Sequence, residues 1–363
     1  MTVNLKERFS IIRNRKEVLE DIHSDPKLLS LFYLWTEEQK ELFLEYCTGV
    51  RGIKLLYDQY FKALMNPIVN PARLEMVLSA LLQENVKILQ VLPNESSRIA
   101  AEKSLLVLDV VVELEDGRIA NVEVQKIGYK FPGQRSACYS ADLLMRQYKR
   151  MKEQKQKKFR YSDIKKVYSI VLFEKSTQEF HEYKDIWFHK SEQKTNTGLK
   201  LELLQEYVFI PLDIFKDNLH NNNVDIKDKL VAWLIFLSVD EPEWIIKLIQ
   251  THPEFEELYL EVYTLCRNTE VMMGLFSEEL LELDKNTVEY MIDEMQNIID
   301  EKEVELQEKE VELQEKDVKL QEKDVKLQEK DMELQKRDAA INEQKELIEF
   351  LKAQLAANGN VIE

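Results

Sequence analysis

From Leu105 to Val112 the chain reads Leu-Leu-Val-Leu-Asp-Val-Val-Val, and the single polar residue in that run, Asp109, constrains the fold more than any other. Seven aliphatic residues, four of them β-branched, describe a strand buried on both faces. An isolated ionised carboxylate in such a place costs several kcal/mol unless a cation or hydrogen-bond donors satisfy it. What can face Asp109 depends on the turn that follows, Glu115-Asp116-Gly117, and on the next strand, Arg118 to Lys126. A two-residue Asp-Gly loop sets Asp109 opposite Val124. A three-residue loop with Gly117 in the left-handed conformation sets it opposite Glu123, with Cβ atoms about 5 Å apart. Glycine at the third loop position favours the second geometry. Strand alternation then groups Asp109, Glu123 and Gln125 on one face and turns Val122 and Val124 to the other.

Two carboxylates so close repel unless something positive lies between them. An oxygen-preferring cation such as Mg²⁺ fills that role and leaves positions for water and a phosphate oxygen. Gln125 adds a neutral amide that can position either. A hairpin whose Asp and Glu simply point to solvent is the plain alternative.

Four zones follow from pattern. Residues 1–66 read as helical, with a break at Gly49 and Gly52. A core zone, 67–220, opens with a helix capped by Asn70 and started by Pro71, whose Leu74, Val77, Leu78, Leu81 and Leu82 form one stripe. Strands are expected at 86–93, 104–114, 118–126, 163–175 and 206–215, with a helix over 134–152. The order helix, three strands, helix, strand makes an α/β core of roughly 150 residues. Residues 221–299 are helical again, with Pro242 and Pro253 at helix starts or breaks, and Leu230 to Leu237 reads as core packing.

The fourth zone, 300–363, carries the heptads EVELQEK, EVELQEK, DVKLQEK, DVKLQEK and DMELQKR. Its composition favours one long helix. With Leu306, Leu313, Leu320, Leu327, Leu334, Ile341, Ile348 and Leu355 at a, the d positions hold Lys309, Lys316, Lys323, Lys330 and Arg337. That seam is weaker than an ordinary zipper, so a solvated rod and a coiled coil joining copies of the chain both remain open. The segment from Ile341 to Leu355 is the better pairing surface.

Composition narrows the partners. The net charge of −17 argues against non-specific coating of nucleic acid or anionic membrane, yet residues 126–166 hold 13 Lys and Arg against 3 Asp and Glu. The longest apolar run, eight residues, is far below the ~20 a membrane helix needs, and the N-terminus has no signal-like apolar core, so a cytoplasmic protein is expected. Cys47, Cys138 and Cys266 are too few and too scattered for a disulfide framework or a zinc knuckle, and the five histidines show no paired spacing.

LVLDVVVELEDGRIANVEVQ, FPGQRSACYSADLLMRQY and DIKKVYSIVLFE, in that order, resemble the PD-(D/E)XK nuclease superfamily. Within it the resemblance is to the bacterial PD-(D/E)XK nuclease family transposases and recombination-promoting nucleases, over about residues 40–300. It implies a restriction-endonuclease-like αβββαβ core in which Asp109 and Glu123 bind a catalytic divalent metal, Mg²⁺ or Mn²⁺. Gln125 then takes the place of the superfamily's motif lysine, which orients the attacking water and neutralises charge; Gln offers a hydrogen bond without charge. Lys126 turns to the opposite face by alternation, leaving Lys130 or Arg135 as substitutes. Glu75 is a candidate for the acid that the first helix often contributes.

Arg135, Tyr139 and Gln147, at spacings of four and eight, are read as one helical face, with Arg135 a candidate phosphate ligand and Tyr139 equally a core residue. Arg146, Lys149, Arg150 and Lys152 lead a run of ten bases against two acids over 21 residues, suited to DNA backbone contacts. These features point to a Mg²⁺-dependent DNA endonuclease, a transposase or recombination-promoting nuclease by resemblance. The rival is a non-catalytic DNA-binding or scaffold protein on a degenerate nuclease fold.

Overall fold

Gly117 decides how the central strands meet. In the computed structural model its φ is +86°, whereas neither Glu115 nor Asp116 has a positive φ. Its N–H donates to Leu114 O at 2.8 Å, and Leu114 N–H donates to Arg118 O at 2.8 Å. The loop therefore has three residues, and the flanking strands pair antiparallel with Asp109 opposite Glu123. The structure describes residues 4–56, 60–61, 64–92, 108–125, 132–191, 193–199 and 201–358, without the side chains of 108–109, 132, 282–290, 292–294, 297 and 356–358.

The described strands are β1 (Ile88–Val91), β2 (Leu108–Leu114), β3 (Ile119–Gln125), β4 (Val167–Phe173), β5 (His189–Ser191) and β6 (Gln205–Pro211). They form one mixed sheet in the order β1-β2-β3-β4-β6-β5. β1 pairs antiparallel with β2, and β2 with β3; β3, β4 and β6 run parallel to one another, and β5 closes the edge antiparallel to β6. The short β5 carries no apolar alternation and was not expected. The strand foreseen over 206–215 ends at Pro211, which has no N–H to continue a ladder. Leu212–His220 is a helix instead, burying Leu212, Ile214, Phe215 and Leu219 at helical spacing.

Before the sheet come helices α1 (Arg15–Ser24), α2 (Pro26–Leu34), α3 (Glu37–Thr48) and α4 (Pro71–Leu82). Asn14 with Glu17, and Thr36 with Gln39, close reciprocal capping boxes at the starts of α1 and α3. Asn70 makes no such side-chain bond, so α4 starts on the fixed φ of Pro71 without the expected cap. Helix α5 (Pro132–Lys155) joins β3 to β4, and α6 (Gln178–His181) follows β4. The helix at Leu212–His220 is α7, followed by α8 (Lys229–Ser238), α9 (Pro242–Thr251), α10 (Glu254–Cys266) and α11 (Thr269–Asn358). Among the described residues no helix is long and apolar enough to cross a membrane.

The chain divides into two units, Met1–Tyr290 and Met291–Glu363. Within the first, the sheet has two unlike faces. One packs Val112, Ala120, Val122, Val124, Ile170, Leu172, Val208 and Ile210 into a large core shared with α4 and with α8, every residue of which from Leu230 to Ser238 is buried. The N-terminal helices belong to the same core: Phe9 lies 5.2 Å from Tyr263 and Trp35 4.9 Å from Phe276 between ring centroids. The opposite face carries a small apolar cluster in which Val111, Ile119 and Val167 meet Leu143 of α5. Elsewhere on that face, polar Asn121, Glu123, Gln125 and Ser169 stand beside apolar Val171, Phe173 and Phe209. In the second unit the described residues lie on α11, and their described side chains are exposed.

Candidate active site

β2 and β3 build the site. Because 114 and 118 are hydrogen-bonded, alternation makes Asp109–Glu123 a narrow, non-hydrogen-bonded pair, the kind whose Cβ atoms lie about 4.5–5.5 Å apart. The Asp109 side chain lies outside the described ones. Glu123 and Gln125 are each 1 % exposed, and Gln125 Nε2 donates to Glu123 Oε1 at 2.5 Å. Gln125 Oε1, also buried, accepts no hydrogen bond among the described residues. Asn121 and Ser169, partners in register on the same face, likewise have Oδ1 and Oγ buried without a hydrogen bond there. One strand face thus holds a carboxylate, an amide oxygen open to a ligand, and a second carboxylate residue across the pair. A divalent cation of the Mg²⁺ type takes such hard oxygen donors, so these residues suit it. Among the described side chains, no three His, Cys, Asp or Glu gather in a metal-binding group.

Gln125, Phe173 and Pro211 end β3, β4 and β6 at one edge of the sheet, the carboxyl edge of its parallel strands, where ligands of open α/β sheets bind. Polar residues that the sequence did not single out continue this edge. Glu174 N–H donates to Gln125 O at 2.8 Å, and the Glu174 carboxylate takes Lys54 Nζ at 3.5 Å. Ser176 donates to Asp213 Oδ2 through both N–H (2.8 Å) and Oγ (3.0 Å). Their only sequence signal was position, immediately after an apolar strand.

Helix α5 covers this face obliquely. Its buried positions are Ser136, Ser140, Leu143 and Gln147. Ser140 Oγ meets Tyr207 OH at 2.7 Å and accepts from Gln205 Nε2 at 2.8 Å. Gln147 Nε2 donates to Gly117 O at 3.0 Å and its Oε1 accepts from Lys165 N–H at 2.7 Å, clamping the hairpin tip to the entry of β4. The expected single face of Arg135, Tyr139 and Gln147 does not form. Each four-residue step drifts about 40°, so twelve residues separate Gln147 from Arg135 by about 120°. Arg135 and Tyr139 are half-buried, with the guanidinium 5.6 Å from the Tyr139 ring centre.

The basic run lies at the other end of α5. Arg150 pairs with Glu113 at 2.9 Å, and Glu113 stands opposite Ile119, four residues and about 13 Å along β3 from Glu123. Arg146 is held by Asp142 at 2.6 Å, and Lys152 Nζ donates to Tyr148 OH at 3.0 Å. Lys149, Lys157 and Lys158 are exposed. The structure therefore does not gather Arg146, Lys149, Arg150 or Lys152 around Glu123. Lys126 and Lys130 lie outside the described residues.

Glu75 is also elsewhere. Its carboxylate accepts from Lys87 Nζ at 2.7 Å and from Ile88 N–H at 2.9 Å, fixing the start of β1 opposite Leu114. That places it about 17 Å down β2 from Asp109. Burial pushes the Glu75 carboxyl up, and the bonds from Lys87 and Ile88 outweigh it, leaving the group below the ordinary glutamate range.

A family model for PD-(D/E)XK nuclease family transposases matches residues 55–291. No curated protein and no solved structure matches the chain. The matched span contains the hairpin, the parallel strands and α5, and covers well over half of the 363 residues: the chain belongs to the PD-(D/E)XK nuclease family transposases.

Proposed function

We propose that the chain is a metal-dependent DNA endonuclease hydrolysing phosphodiester bonds, a recombination-promoting nuclease built on a restriction-endonuclease-like αβββαβ core and working in the cytoplasm. The observation that carries this reading is the register of Asp109 against Glu123, beside Gln125, at the carboxyl edge of the sheet. Asp109 and Glu123 are the residues that would hold Mg²⁺ or Mn²⁺. Such an ion supplies charge stabilisation at a phosphate oxygen and a nucleophile at neutral pH. Gln125 Nε2 fixes the rotamer of Glu123 through their hydrogen bond, and Gln125 Oε1 orients a water or the ion. Arg135, in the first turns of α5, would bind a phosphate beside them. In-line attack on phosphorus, with the 3′ oxygen leaving, gives 5′-phosphate and 3′-hydroxyl ends.

One observation favours a second reading. Where the superfamily carries a lysine, the amide of Gln125 delivers no charge and is spent on Glu123, which suits a DNA-binding or scaffold protein that has lost turnover. Supercoiled plasmid with Mg²⁺ separates the two. The wild type is expected to nick or linearise it, and Asp109→Ala and Glu123→Ala to lose at least about a thousandfold in rate. Cleavage that survives both substitutions removes this site; binding of DNA with no cleavage by the wild type supports the scaffold.

A further inference from the structure

The second unit presents five successive repeats with every side chain in water, at an apolar exposure a solitary helix does not need. Leu306 and every seventh residue to Leu334 are 56–59 % exposed, and Ile341, Ile348 and Leu355 continue the row. On a helix of 100° per residue, each of these leucines has a base at −60° and an acid at +40°: Lys309 and Glu310 beside Leu306, Lys316 and Asp317 beside Leu313, and so on to Arg337 and Asp338 beside Leu334. From Leu306 to Leu334 the leucine row therefore runs between one basic rail and one acidic rail. The valine row, Val304 to Val325, lies about 200° away and is flanked by Gln307 and Glu308 and their repeats, with no basic rail on either side.

Two copies that meet through the leucine row can be parallel or antiparallel, and the rails distinguish these. A two-fold axis along the helices sets the basic rail of one copy against the acidic rail of the other, whereas antiparallel packing sets like against like. Slippage by one heptad keeps the rails matched, but the last turns do not repeat. Ile341, Ile348, Leu351 and Leu355, at steps of seven, three and four residues, fit one another in register only.

We propose that the helical unit docks a second copy of this chain as a parallel, in-register pair through the Leu306–Leu355 row, with the lysine rail of each copy against the acidic rail of its partner. Parallel pairing joins the two copies at corresponding positions along the repeat. Pairing itself does not rest on the nuclease reading, and its test does not use cleavage.

The full chain should sediment at twice the 43.0 kDa of one chain, with a dissociation constant that rises at least about tenfold between 50 mM and 0.5 M salt as the rails are screened. Glu308→Cys in a Cys138→Ser background, spin-labelled, should give an interchain distance of about 20–30 Å for parallel helices, against about 65 Å for an antiparallel pair centred near residue 330. The combined substitution Lys309→Glu, Lys316→Glu, Lys323→Glu and Lys330→Glu, on exposed positions only, should weaken the dimer at least about a hundredfold while leaving the tryptophan fluorescence of the first unit unchanged. A monomeric wild type, the long label distance, or an undiminished dimer in the charge variant each overturns the proposal.

Discussion

Replacing Gly117 by alanine tests the loop on which the register of Asp109 and Glu123 depends. A left-handed conformation costs an L-residue about 1–2 kcal/mol. The added Cβ would lie 3.3 Å from Lys165 Cγ, the middle of an exposed side chain that can swing away, so sterics add little. Alanine also shrinks the unfolded ensemble, returning about 0.4–1 kcal/mol. The net loss is then about 1 kcal/mol, or about 2–4 °C in Tm for a folded unit of this size. Asparagine, which tolerates positive φ, should lose less, and valine, branched at Cβ, about twice as much. All four tryptophans, Trp35, Trp187, Trp233 and Trp244, lie in the first unit. Their fluorescence during thermal and urea unfolding therefore reports on the unit that contains the hairpin. The order Gly, Asn, Ala, Val is the expected ranking. An alanine variant as stable as the wild type would refute the left-handed third position, and with it the reasoning that sets Asp109 across from Glu123.

Two further outcomes follow from bonds at the far end of the same hairpin. Arg150→Met should cost about 1–2 kcal/mol in urea unfolding, because Glu113, itself nearly buried, loses its cation; Lys149→Ala, on the exposed side of the same helix turn, should leave stability unchanged. The Glu75 carboxyl, held below its ordinary range in the folded chain, contributes stability that is present above the unfolded glutamate pKa and is lost as pH falls through the folded value. Glu75→Gln should therefore be less stable than wild type near neutrality and converge with it below about pH 4; a gap that stays constant from pH 7 to pH 3 would contradict this.

The hairpin was legible because its rules are local. A glycine at the third loop position and aliphatic runs on either side determine the register within a few residues, and the buried Glu123 and Gln125 follow from alternation alone. Boundaries set by longer-range packing were less so. Pro211 ends β6 while the hydrophobic pattern runs on, since Leu212, Ile214 and Phe215 are apolar whether read as strand or helix. His189–Ser191 joins the sheet only because β6 offers an open edge, which no composition records. The basic run looked like a single patch because a linear count of charge ignores neighbours: Glu113, Asp142 and Asp163 each claim one of its members. Glu75 was a candidate partner of Asp109 and Glu123 through the resemblance alone, whereas its hydrogen bonds tie it to the start of β1.

The separation of basic run from carboxylates has a consequence for how DNA would lie on this fold. Helix α5 is clamped at its C-terminal half by Gln147 on Gly117 and Arg150 on Glu113, and its first turns point toward the carboxyl edge. From Gly117 to Glu123 is about 20 Å along β3, and the exposed Lys149, Lys157 and Lys158 lie at the Gly117 end or beyond it. At 3.4 Å per base pair, about 20 Å corresponds to six base pairs. On the nuclease reading, the lysines hold the duplex by its phosphates at least half a turn away from the bond that is cut. On that reading, the bases that would hold the substrate and the acids that would act on it are carried at opposite ends of one helix and one strand pair, with the three-residue hairpin loop and its glutamine clamp between them.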